Sequence, residues 1–137
     1  MNIIWGYSSE EKQISSKLIG QDIKEIKQTF SSLLFPKGVQ GVAIVLKEIL
    51  NSPVLTLSLV IDKKEVFSTS FSPSSATFFS FQTKKRYFAQ SKIEVFLSPQ
   101  EGSVSIPTSS IGTGMGFLKR EDDFIPTQHF ALGLLIP

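Results

Sequence analysis

From Val54 to Ile61 the chain alternates: Leu55, Leu57, Leu59 and Ile61 fall on one side, and Val54, Thr56, Ser58 and Val60 on the other. A period of two is that of a half-buried β-strand. "DKK" at 62–64 is a turn signal. Beyond it Phe67, Thr69 and Phe71 oppose Val66, Ser68 and Ser70, so the two segments read as a hairpin. The same period runs through most of the chain from Lys37 onward. "GVAIVLKEIL" (41–50), apolar and with β-branched content, predicts one strand, with a helix as the alternative, broken by "NSP" (51–53). After "SPSS", the stretches "ATFFSFQT" (76–83) and "YFAQSKIEVFLS" (87–98) predict a second hairpin around Lys84–Arg86. "PQEG" reads as a turn, "SVSIP" as a short edge-like strand ended by Pro107, and "TSSIGTGMG" as a flexible loop. "FIPTQHFALGLLIP" supplies a last strand.

The first third follows a different rhythm. Ile14, Leu18, Ile19, Ile23, Ile26, Phe30, Leu33 and Leu34 recur at steps of about three and four, the stripe of an amphipathic helix. Ser8 with Glu11 and Asp22 with Glu25 have capping-box spacing, and Pro36 and Gly38 supply the stop. Gly20 lies inside the stripe, so the pattern predicts two short helices or one weakened helix. Lys17, Lys24, Glu25, Lys27 and Gln28 would form the solvated face. The expected class is therefore α+β: N-terminal helix or helices (1–36) packed on a β-dominant antiparallel sheet, sandwich or open barrel (37–137), within a single domain 1–137.

Composition narrows the chemistry. With 137 residues, 41% hydrophobic and 19% charged, the chain is long enough for a core of its own. Phe supplies 12 of its 15 aromatic rings and has no polar atom to satisfy, so most of these rings are expected inside. The net charge of +2 is spread evenly over both halves and gives no general drive toward phosphate backbones. The absence of cysteine removes disulfides, thiolate nucleophiles and thiolate-bound zinc. No run is long enough for a membrane-spanning helix, and "MNIIWGYSSEE" lacks the cationic start of a signal peptide. These features predict an intracellular, soluble, cytoplasmic protein.

The residues that could carry catalysis are few. His129 is the only histidine, and any general base of that type must be this one. Gly112, Gly114 and Gly116 invite comparison with phosphate-binding loops, but the spacing misses those patterns and no helical period follows. Arg120–Asp123 gathers three carboxylates without the alternating oxygen ligands of a calcium loop, and reads as a solvated acidic turn. Ser9–Lys12 matches S-x-x-K by chance, its companion motifs being absent. No cofactor or metal is expected.

The stretch "FFSFQTKKRYF" is the strongest candidate for a binding surface. Strand phase places Phe79, Phe81, Tyr87, Ala89, Ile93, Val95 and Leu97 on the core side. Phe78, Gln82, Phe88, Lys92, Glu94 and Phe96 fall on the other, next to a cationic tip of Lys84, Lys85 and Arg86. Phe78, Lys84, Lys85, Arg86, Phe88 and Lys92 thus form the candidate partner or nucleic-acid surface; a face of Phe and cations stacks single-stranded bases. The apolar C-terminus, Phe130, Leu132, Leu134, Leu135 and Ile136, either completes a sheet or forms an arm that docks on a neighbouring subunit. The expected function is non-enzymatic: binding or structural work through protein–protein contacts or self-association, of the kind small β-rich assembly components such as viral matrix or coat-associated proteins perform. That comparison is an analogy of class. The alternatives are a single-stranded nucleic-acid binder and a small hydrolase using the carboxylates of the 120s loop with His129. Peripheral contact with a membrane remains open.

Overall fold

A computed structural model describes residues 2–10, 14–75 and 77–137. It overturns the α+β expectation. Among the described residues, 70% lie in strands, no helix reaches seven residues, and the strands form two antiparallel sheets. The helical element among the described residues of the predicted 1–36 region is one 3-10 turn at Ser32–Leu34. That region instead contains β1 (Asn2–Trp5), β2 (Ser15–Ile19) and β3 (Glu25–Ser31). The Ser8–Glu11 capping box and the Ser9–Lys12 match involve Glu11 and Lys12, which lie outside the described residues.

The helical stripe was a coincidence of spacing. Ile26 and Phe30 both point into the core of β3, and a step of four is even, so it suits a strand as well as a helix. Between them the inward position is held by Gln28, a fully buried polar residue that masks the alternation. The remaining offset comes from the turn at Gly20–Lys24, where Ile23 bridges to Ile19. Gly20 adopts a left-handed φ of +120°, and a side chain there would run into the backbone of Gly102 and Ser103. Leu33, one of the stripe residues, is 88% exposed.

The rest of the chain supplies β4 (Val39–Val45), β5 (Glu48–Ile61), β6 (Lys64–Phe71), β7 (Phe78–Tyr87), β8 (Lys92–Ser109), β9 (Met115–Lys119), β10 (Phe124–Thr127), β11 (His129–Phe130) and β12 (Leu132–Ile136). The smaller sheet has the order β1-β12-β4-β7, and the larger runs β10-β9-β3-β8-β5-β6, with β2 and β11 also on β8. The β5–β6 hairpin forms in the predicted phase, pairing Leu55 with Phe71, Leu57 with Thr69 and Leu59 with Phe67 across the Asp62–Lys63 turn.

Several predicted breaks are bulges inside longer strands. "NSP" leaves β5 unbroken: Asn51 and Ser52 take left-handed φ values, and the register with β8 shifts there. "SVSIP" is the far half of the 18-residue β8, not a separate edge strand. "GVAIVLKEIL" holds two strands, because the chain leaves the smaller sheet at Leu46 and enters the larger one at Glu48. The second hairpin does not form. β7 pairs with β4, β8 pairs with β3 and β5, and Lys84–Arg86 belong to an irregular stretch of β7 rather than a hairpin tip.

The two sheets enclose one buried cluster. β5 and β8 contribute Leu55, Leu57, Leu59, Ile93, Val95 and Leu97; β4 and β12 contribute Val42, Ile44, Leu132 and Leu134 from the opposite side. Phe71 of β6 meets Phe79 and Phe81 of β7 at ring separations of 5.2 and 5.0 Å, sealing the open side between the sheets.

Candidate functional site

The outer faces of the two sheets differ in chemistry. On the larger sheet, alternation turns Glu25, Lys27 and Thr29 of β3 outward, with Lys92, Glu94 and Phe96 of β8 beside them. Lys27 Nζ donates to Glu94 Oε2 at 3.0 Å, and its ammonium lies 4.6–5.5 Å from the ring centres of Phe96, Phe117 and Phe124. This aromatic box is filled by the chain's own lysine. Burial raises the Glu25 carboxyl above its ordinary range, with Lys119 and Lys27 pulling the other way. Toward β6 the same face carries Thr56–Ser70 and Ser58–Ser68 hydroxyl pairs across β5 and β6.

The smaller sheet has no comparable solvated face. β1, β12 and β4 contain no charged residue, and β7 has none before Lys84. Register aligns Ile3 with Leu135 and Gly41, and Trp5 with Gly133 and Ala43, on the side turned away from the core. The small residues of β12 and β4 leave room for the Trp5 ring to cross them and meet Phe78 of β7 edge-on at 6.0 Å. Phe78 stands 46% exposed. Beside it a shallow groove of about 610 Å³ is lined by Ile3, Phe78, Ser80, Gln82 and Leu135. An antiparallel sheet with one core face ordinarily alternates to a polar outer face. On this one the outer face around Trp5 and Phe78 carries no charge, and Ser80 and Gln82 of β7 are polar side chains on it.

Phe78, Phe88 and Lys92 do not share one surface. Phe78 belongs to the smaller sheet's outer face and Lys92 to the larger sheet's, while Phe88, 62% exposed, lies in the connection between β7 and β8. Lys84, Lys85 and Arg86 are exposed and close to Phe88 along the chain, with Lys85 Nζ over the Tyr87 ring at 5.2 Å. Phe79, Phe81 and Tyr87 pack against the core, as their phase predicts. In the C-terminal segment, Phe130, Leu132 and Leu134 are fully buried, Leu135 nearly so, and Ile136 half-buried. β12 sits between β1 and β4 as an internal strand, so within one chain these residues complete a sheet instead of extending as an arm.

His129 lies in a packed polar junction. The Gln28 side chain accepts from Phe130 N through Oε1 at 3.0 Å. Its amide nitrogen donates to Thr113 O at 2.8 Å and meets His129 Nδ1 at 3.1 Å. This geometry makes Nδ1 the acceptor. Thr113 N donates to Gly6 O, and Gly112 bridges to Tyr7, so the "GTGMG" stretch is fastened to the N-terminal segment rather than left as a free loop. Gly114 has φ +80° and lies so close to the Thr29 carbonyl that a side chain would clash with it. The glycines are required by close backbone packing. Glu121, Asp122 and Asp123 are exposed in the β9–β10 turn, and Arg120 Nε donates to Asp22 at 2.6 Å. Among the described residues no group of three or more histidines and carboxylates is arranged to hold a metal ion.

The expectation from sequence missed Trp5 and Ile3, and it assigned Leu33 and Leu34 to a helix core. The signal for the first pair was present: "NIIW" is a strand-forming, charge-free run opposite an equally charge-free C-terminus. Compared with protein-family models, with characterised proteins and with solved structures, the chain matches none.

Proposed function

We propose that the protein is a non-catalytic binding component that self-associates through the outer face of its smaller sheet. The observation that supports this most directly is the charge-free face carrying Trp5 and Phe78 outside the core. An exposed aromatic side chain beside an uncharged groove is the kind of surface that interaction sites use. A second copy of the same chain fits it best. With no charge to complement an unlike partner, the face matches itself: the projecting Phe78 adjoins the groove formed by Ile3, Ser80, Gln82 and Leu135, so a two-fold pairing sets each Phe78 into the other copy's groove.

The size of the face sets the strength. Four strands roughly 4.8 Å apart and about five residues long give a footprint of roughly 20 by 17 Å. That is small beside the roughly 800 Å² per partner of standard stable interfaces, so the association is reversible and concentration-dependent.

Sedimentation velocity tests the reading. The wild-type chain should shift from monomer toward dimer with rising concentration. Phe78→Lys should remain monomeric with an unchanged circular dichroism spectrum, because the residue is exposed. A wild-type chain that stays monomeric throughout, or a dimer indifferent to Phe78→Lys, overturns the proposal.

A further inference from the structure

A second exposed surface lies at one end of the molecule and has the opposite character. The loop 32–38 is tied at both ends to the β7–β8 connection: Ser32 N donates to Ser91 O and Ser32 Oγ to Gln90 O, while Val39 pairs with Tyr87. The β5–β6 turn joins the same end through Asp62, whose carboxylate accepts the N–H groups of Gln90, Ser91 and Lys92. Arg86 packs against Gly38. From this end project Leu33 at 88%, Phe88 at 62% and Leu34 at 43% exposure.

Charge gathers around them. Segments 32–38, 62–65 and 83–91 carry six cations against two carboxylates, although the whole chain is only +2. One of those carboxylates, Asp62, is engaged with backbone N–H groups. Exposed aliphatic and aromatic side chains on loop tips, ringed by lysine and arginine, combine the two attractions that hold a protein to an anionic bilayer: apolar insertion at the acyl boundary and charge pairing with headgroups. Two of the three projecting apolar residues are leucines, which insert into lipid but offer no ring to stack a base.

We infer that this end docks on anionic membrane surfaces, with Leu33, Leu34 and Phe88 entering the interface and Lys37, Lys63, Lys64 and the Lys84–Arg86 run contacting lipid headgroups. The uncharged sheet face carrying Phe78 is a separate surface.

Vesicle co-sedimentation of the full chain is the test, with vesicles of phosphatidylcholine alone and of equal parts phosphatidylcholine and phosphatidylserine. The protein should pellet with the anionic vesicles, stay in solution with the neutral ones, and release as salt rises. The double variant Leu33→Ser/Phe88→Ser should bind anionic vesicles about ten-fold or more weakly at low salt, since burying side chains of this size contributes at least that much. Lys84→Glu/Lys85→Glu should also weaken binding, and Phe78→Lys should bind as the wild type does. All the altered side chains are exposed, and circular dichroism verifies the fold of each variant. Absence of binding to anionic vesicles overturns the inference. So does binding that the Leu33→Ser/Phe88→Ser variant retains in full, which would mark a purely electrostatic contact. Retention on poly-uridylate with no pelleting on vesicles would assign the same end to single-stranded nucleic acid instead.

Discussion

Asp62 shows how one side chain can fix a junction between elements. It occupies a left-handed turn position, and its carboxylate accepts N–H groups from Gln90, Ser91 and Lys92 and the Ser91 hydroxyl, all between 2.7 and 3.1 Å. Those backbone donors hold the acid well below the usual carboxylate range. The unfolded chain therefore binds a proton at Asp62 more readily than the folded one. Its stabilisation is complete above the ordinary carboxylate pKa of about 4 and is lost as pH falls through the depressed folded value. Asp62→Asn should consequently be less stable than wild type near neutrality, and the difference should shrink as pH falls below about 4. Urea unfolding at a series of pH values measures it; a difference independent of pH would show that the carboxylate's charge is not what holds the junction. Gln28 does comparable work inside the core, joining β3 to β11 and to Thr113 with every polar atom of its amide engaged.

At the scale of elements, β12 is an internal strand of the smaller sheet. It lies between β1 and β4, and its Leu132 and Leu134 are fully buried. Leu134→Ala should cost about 2–5 kcal/mol in chemical unfolding, whereas Leu33→Ala, a change at an exposed loop tip, should stay within about 0.5 kcal/mol. Equal costs would contradict the placement of either residue. Strands with uninterrupted alternation were legible in the sequence, and Leu55–Ile61 with Phe67–Phe71 formed the predicted hairpin in the predicted phase. The N-terminal third was not, because Gln28 sits at a core position and Ile26–Phe30 is a step common to both periods. The run of Ile at 14, 19, 23 and 26 was the overlooked sign, since β-branched residues favour strands. The partner of β7 was also out of reach. Local logic joins it to β8 through a tip at Lys84–Arg86, but the hydrogen bonds go back to β4, and such non-local pairing leaves no mark in a single segment. Hence the inward phase of Phe79 and Phe81 could be read, while the separation of Phe78 from Lys92 onto different sheets could not.

For the whole molecule, a nearly neutral chain conceals an uneven surface. The larger sheet presents ion pairs and hydroxyls, one end gathers cations around exposed leucine and phenylalanine, and the smaller sheet's outer face around Trp5 and Phe78 presents no charge. Net charge and composition average these regions away. The uncharged face is the central claim, and Trp5, the only tryptophan, sits within it next to Phe78. Its fluorescence reports directly on whether a second copy covers the face. On serial dilution the emission should move to longer wavelength as the pair dissociates and water reaches the indole, and Phe78→Lys should show the long-wavelength emission at every concentration. Emission from the wild-type chain that is unchanged by dilution, and already that of a water-exposed indole at the highest concentration, would contradict the account.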